Sequence, residues 1–308
     1  MKGFDTSYIK AEYEACVSLL ERAGILPAMS CGSAPGVTGA DGISYPVPAF
    51  EKVADIFRNS RKLANEKKEQ GFVRLLLTPL AMPICSLAEI LRVKLLERVK
   101  AGSIYRSRRL SSDAQFPVKV NADKQVWIWD TLKQLADEDK IVYFPREYIS
   151  DHRGQRKTEV LCDSSICAVP GWSVGLAEDM AMIPVHGTGK TLRGRKQPET
   201  GASPREYLLM LREDEYSGET GKTIEDFIIM FLTRLDTAGE ISNDRLDGNA
   251  LWLIGQYAEY SAKVKSDLVP TGWWHREFGR LRLDAHRPGN KLCTKNWGVS
   301  TIVRLPGI

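Results

Sequence analysis

Histidine is scarce: four residues in 308 leave few general bases, and none stands in the His-Glu-x-x-His spacing of a zinc hydrolase. A Gly-x-Ser-x-Gly elbow is missing too. The stretch Asn243 to Gly248 is no calcium loop, because Arg245 occupies a place that needs an oxygen ligand. Long apolar runs are also lacking; Phe227 to Leu232 falls far short of the roughly 20 residues that cross a bilayer. Met1 to Lys10 has no apolar core of the signal-peptide kind. These absences lead us to expect a soluble, intracellular protein without an obvious catalytic motif.

The six cysteines are scattered, at 16, 31, 85, 162, 167 and 293, which suits reduced thiols better than a disulfide framework. Cys162 and Cys167, with His152 and His186, supply four possible zinc ligands. Their gap is loose for a structural site and no second close pair exists, so we expect neither metal nor cofactor.

What is present is a composition of the globular kind, 43% hydrophobic and 27% charged, with its charge segregated. Between Arg92 and Lys124 nine basic residues face only Glu97, Asp113 and Asp123. From Glu199 to Asp247 acidic residues dominate, and after Trp274 the chain is basic again. Segregation of this kind bears on partners, through steering of polyanions or of complementary surfaces.

Helical spacing is the clearest local signal. Ile9, Tyr13, Cys16 and Leu20 share a face in a segment from Thr6 or Ser7 to Gly24, and Phe50, Val53, Ala54 and Phe57 repeat it. Ser86 with Glu89 predicts a capped helix ending near Gly102. Val126 to Asp137 is predicted as a helix, with Ile141 to Phe144 and Thr158 to Cys162 as strands, an order analogous to a winged-helix unit. Ser203 opens a short helix, and Thr223 and Gly239 bracket the cleanest stripe, Ile224, Phe227, Ile228, Phe231 and Leu235. Two more helices are predicted, from Leu251 to about Lys265 and from Thr271 to Leu283. The expected fold is therefore mainly α with a small β element in the middle, an extended loop near 30–48 and an extended C-terminal tail. Regions 1–102, 103–200 and 201–308 are the expected divisions.

The segment from His186 to Thr191 looks like the end of a phosphate-binding P-loop, with three departures. Pro184 takes the place of the first glycine, the sequence after Lys190 makes a poor helix, and no strand with a metal-binding aspartate follows. Lys190, Arg193, Arg195 and Lys196 still suit phosphate contacts on a flexible loop.

That pattern recurs. Tyr105, Arg106, Arg108 and Arg109 form one cluster, Arg153, Arg156 and Lys157 another, and Arg276, Arg280, Arg282 and Arg287 a third beside the P-loop-like one. Arginine exceeds lysine in most of them, as planar phosphate recognition favours. Trp273 and Trp274 accompany the last cluster and could stack exposed bases, or else be core. The apolar end, Val299, Ile302, Val303, Leu305 and Ile308, must dock on its own domain or on a neighbour.

The sequence thus leads us to expect a non-enzymatic nucleic-acid-binding protein, contacting DNA or RNA through these arginines and lysines and stacking on Trp273 or Trp274, with possible oligomerisation on the nucleic acid. Two alternatives stay open. One is a coat-type self-assembling protein using the loop near 30–48 and the tail as arms; the other is a metal-dependent nucleic-acid enzyme using dispersed acids.

Overall fold

The computed structural model describes residues 4–27, 35–102, 104–106, 118–149, 151–179, 182–245, 250–259, 268–289 and 294–307, with backbone alone at 105, 106 and 294. Helix α1 (Thr6–Ala23) starts where the Asp5 carboxylate accepts the Tyr8 N–H and ends at Gly24, whose left-handed φ of 80° closes it. Next comes a hairpin, β1 (Gly36–Thr38) and β2 (Ser44–Pro46), within the stretch expected to be an extended loop. It is anchored by the buried Tyr45, whose ring lies so near Gly171 that a Cβ there would come within 2.5 Å of it. Residues 28–34 of that stretch lie outside the described residues.

Helices α2 (Phe50–Asn59) and α3 (Arg61–Glu69) bury Val53, Ile56, Phe57 and Ala64 on one side. Strand β3 (Phe72–Thr78) follows and stops at Pro79. Helix α4 (Ile84–Lys100) begins directly after Pro83, two residues before the expected cap Ser86, and buries Leu87, Leu91 and Leu95.

The middle of the chain departs further from expectation. After β4 (Tyr105–Arg106), the segment expected to be one helix divides into strand β5 (Val126–Ile128) and helix α5 (Asp130–Asp137). Strands β6 (Ile141–Tyr143) and β7 (Gln155–Arg156) pair, but Thr158 to Cys162, expected as a strand, belongs to helix α6 (Lys157–Cys162). The Glu159 carboxylate accepting the Arg156 N–H helps start that helix. Strand β8 (Ser173–Glu178) is buried throughout.

Two short strands, β9 (Thr191–Leu192) and β10 (Arg195–Lys196), precede α7 (Pro204–Met210), β11 (Glu219–Gly221) and α8 (Ile224–Ala238). Both helices start at the expected residues, Ser203 and Thr223, and each forms a capping box, Ser203 with Glu206 and Thr223 with Asp226. Strand β12 (Glu240–Ile241) then leads into β13 (Ala250–Trp252), β14 (Gln256–Ala258), β15 (Val269–His275), β16 (Arg280–His286), β17 (Trp297–Gly298) and β18 (Thr301–Arg304).

The fold is therefore an α/β mix, and the expectation of a mainly helical chain is overturned. Strands β13 and β14 lie in the stretch given to the first of the last two helices, whose residues 260–265 are outside the described residues, and β15 and β16 take the place of the second, where the alternation is plain on β16. On β16, Leu281, Leu283 and Ala285 face the core while Arg280, Arg282, Asp284 and His286 take the other side, a period of two. The C-terminal segment is no tail: β18 is an inner strand of the four-stranded sheet β11-β18-β8-β3. Val299, Ile302, Val303 and Leu305 are buried within the chain, so they cannot serve as an arm toward a neighbour.

A second, five-stranded sheet has the order β17-β13-β15-β16-β5, and a smaller one the order β14-β6-β7. Helix α8 packs against α4, β3 and β15 and so joins the two larger sheets. Its close approach needs Gly272, where a Cβ would lie 2.5 Å from the Phe227 ring. Among the described residues no helix is long and apolar enough to cross a membrane.

Burial also sets thiol reactivity. It pushes Cys16 and Cys167 up to about 12, while Cys162 is exposed. Iodoacetamide at pH ~8 should alkylate Cys162 and spare Cys16 and Cys167 until denaturant is added, by peptide mass mapping.

Candidate nucleic-acid interface

The face of the five-stranded sheet turned away from α8 gathers arginines and aromatic rings from separate parts of the sequence, half-buried on β16 and β5 and buried in a second core cluster on β13, β15 and β17. Register does this: Arg282 on β16 stands between Trp273 on β15 and Trp127 on β5, and Arg280 lies opposite His275. The Arg282 guanidinium carbon is 4.2 Å from the Trp127 ring centre and 5.1 Å from that of Trp273. Arg280 lies 4.9 Å from the ring of Phe278, in the turn between β15 and β16, and 5.6 Å from Trp127. Arg245 covers Trp273 at 5.3 Å. Rings continue along the same face: His275 is 4.9 Å from Trp273, Trp297 is 6.1 Å from Trp273, and Trp252 is 4.7 Å from Trp297. Contacts of this kind between guanidinium and ring are worth about 0.5–2 kcal/mol each.

Charge on this face is incompletely balanced. Arg282 pairs with Asp284 at 2.7 Å and Arg276 with Asp244 at 2.8 Å. Among the described residues no carboxylate pairs with Arg245 or Arg280. Burial and the neighbouring Arg282 hold the Arg280 guanidinium below its ordinary pKa, and its buried Nε has no partner among the described residues. A site that penalises its own cation in this way favours an incoming anion.

His275 is held below the ordinary imidazole range by burial, with Arg282, Arg245 and Arg280 adding to the effect and Glu277 opposing it. Burial lowers His286 as well, Asp284 opposing and Arg282 and Arg245 reinforcing. Since the unfolded chain protonates both first, stability should fall as pH drops through about 6.5, the unfolded histidine value. Thermal melts between pH ~7.5 and ~5 check this, and the slope should flatten in the double variant His275→Gln, His286→Gln.

The other basic residues meet different fates. Arg195, expected at a phosphate, is fully buried: its Nη1 donates to Glu178 at 3.1 Å and its Nε to Glu219 at 2.6 Å. Lys157 donates to the Met82 carbonyl and lies 3.2 Å from the fully buried Glu225. Arg156 pairs with Glu259. Trp274 is on the opposite side of the sheet from Trp273 and packs in the main core, which removes it as a stacking surface.

Arg153 is exposed and lines a cavity of about 530 Å³ with Arg146 and Arg212. Lys190 is exposed, Arg193 pairs with Glu69 at 3.2 Å and Lys196 with Glu199 at 3.1 Å. The Arg106 side chain and all of Arg108 and Arg109 lie outside the described residues.

The P-loop-like segment leads into the β9–β10 hairpin, where a phosphate loop would lead into a helix. The Gly189 N–H, one that would meet a phosphate, donates to the Glu199 carboxylate at 2.7 Å. Burial pushes that carboxyl up, but the Gly187 and Gly189 N–H groups and Lys196 outweigh it and bring the pKa below the ordinary range. The protein thus carries its own anion there. Among the described residues no three His, Cys, Asp or Glu side chains are placed to hold a metal, and Cys162 is exposed while Cys167 is buried.

Trp127, Arg245, His275 and Phe278 were missed as site residues. The readable signal was the alternation Arg280-Leu281-Arg282-Leu283, which sets both arginines on one strand face. Trp127 could not be placed there, since its pairing with β16 spans more than half the chain. No family model, no curated protein and no solved structure matches the sequence.

Proposed function

We propose that the protein binds single-stranded nucleic acid, without catalysis, on the half-buried β16–β5 part of this face of the five-stranded sheet. The observation that carries this reading is the ladder of Arg245, Arg280 and Arg282 against Trp127, Trp273 and Phe278, with two of the three guanidiniums lacking a carboxylate partner among the described residues. Phosphates answer the cations and bases answer the rings, a pairing of needs that few other polyanions meet.

The rings divide the work by exposure. Phe278, half-exposed, and Trp127, partly buried, are the stacking surfaces. Trp273 is buried, so it supports Arg245 and Arg282 from below. Stacking tolerates any base, and the reading implies little sequence preference. An intracellular location, where scattered thiols stay reduced, goes with it.

Fluorescence anisotropy with labelled oligo(dT) and oligo(U) tests the proposal. Binding at low salt that weakens linearly in log[salt], and exceeds binding of a duplex of equal length, is the expected result. Failure of both oligonucleotides to bind at low salt would overturn it.

A further inference from the structure

Lys222, between β11 and the Thr223 cap of α8, is a buried lysine that none of the roles above uses; it is 4% exposed. Its carbonyl accepts the Gly255 N–H at 3.0 Å, which fixes the backbone at that point. The side chain lines a cavity of about 30 Å³ with Ile183, Phe227 and Leu251 on the apolar side and Arg234, Ser242 and Ser300 on the polar side. Among the described residues no hydrogen bond or ion pair reaches its amine.

The charges around it come from three places. Asp226, on α8, already bonds Arg304, Thr78 and the Thr223 N–H. Glu178, on β8, is held by Arg195 and Gln197. Burial lowers the ammonium to about 8, Asp226 and Glu178 pulling against it and Arg234 adding to it. A large share of the amine is therefore neutral and nucleophilic under mildly alkaline conditions, as desolvated lysines are.

Size then selects the electrophile. A space of this volume admits a molecule on the scale of one or two waters, and excludes sugars, nucleotides and aromatic aldehydes. We propose that Lys222 is a carbamylation site for carbon dioxide. The Nζ lone pair forms a bond to the carbon, one C=O π pair moves onto oxygen, and a proton leaves nitrogen for solvent. The products are a lysine carbamate and H⁺, with no redox change. Arg234, Ser242 and Ser300 are the donors in the cavity that can receive the new anion.

The test uses the full chain with ¹³C-bicarbonate. Expected is a carbamate carbonyl resonance that grows as pH is raised from ~7 to ~9, and that is lost in both Lys222→Met and Lys222→Arg. A carbamate on the chain's α-amino group would persist in both variants. Trapping on the unmodified sequence with triethyloxonium, followed by peptide mapping, places the adduct without relying on the variants' folding. An ethoxycarbonyl group on the peptide containing Lys222 supports the proposal. Its absence there, or a resonance unchanged by both substitutions, overturns it.

Discussion

Replacing Arg195 with methionine should cost the fold about 3–5 kcal/mol, among the largest effects of any single substitution in this chain. Arg195 belongs to a buried quartet of two cations and two anions. Its Nη2 donates to Glu219 Oε2 at 2.8 Å beside the Nε contact, and Lys67 Nζ reaches Glu219 Oε1 at 2.8 Å. Gln197 and Thr301 donate to the same carboxylates, at 3.1 Å to Glu178 and 2.6 Å to Glu219. The guanidinium also lies 4.6 Å from the Phe72 ring.

Without Arg195, Glu178 keeps only a neutral donor and one carboxylate is left buried without a cation. Arg195→Lys should recover only part of the loss, because one ammonium cannot bridge two carboxylates as the planar fork does. Adding Glu178→Gln to Arg195→Met should recover more, since it removes the stranded charge. Urea denaturation measures all three. A loss under ~1 kcal/mol for Arg195→Met, the range of a surface ion pair, would mean that the quartet is not closed to water.

This quartet also explains why the sequence misled at Arg195. Residues 190–196 read as a flexible loop suited to phosphate contacts because Glu178 and Glu219, which neutralise Arg195, sit in strands more than fifteen residues away on either side. Helices with local punctuation were legible: Gly24 ends α1, and Thr223 and Gly239 bracket α8, each by contacts within a few residues. Apart from Ile141 to Tyr143, strands were not, because their pairings are non-local. Val126 lies opposite Leu281, and Glu219 opposite Val303, and no window of sequence carries that information. The stretch Thr271 to Leu283 failed for a second reason. Trp273 and Trp274 serve opposite faces of β15, so hydrophobic residues occur consecutively and blur the period of two. Arg280 and Arg282 were identified from charge alone; their partnership with Trp127 comes only from the sheet.

That partnership sets the second large effect. Trp127→Ala should weaken binding of single-stranded oligonucleotide by about 1–3 kcal/mol, or roughly 5- to 150-fold, with little change in the salt slope, since it removes a stacking face and no charge. Arg280→Gln should behave differently. It removes a cation that no described carboxylate balances, so affinity should fall and the slope of log K against log[salt] should decrease by about one. Arg282→Gln should weaken binding less, because Asp284 already occupies part of its guanidinium. Trp274→Ala separates interface from core: it should destabilise the fold by about 3–5 kcal/mol, and the fraction that stays folded should bind normally. Anisotropy titrations at several salt concentrations, alongside thermal melts of each variant, distinguish these outcomes. If Trp127→Ala and Arg280→Gln both bind like the parent protein, the sheet face is not where the nucleic acid sits.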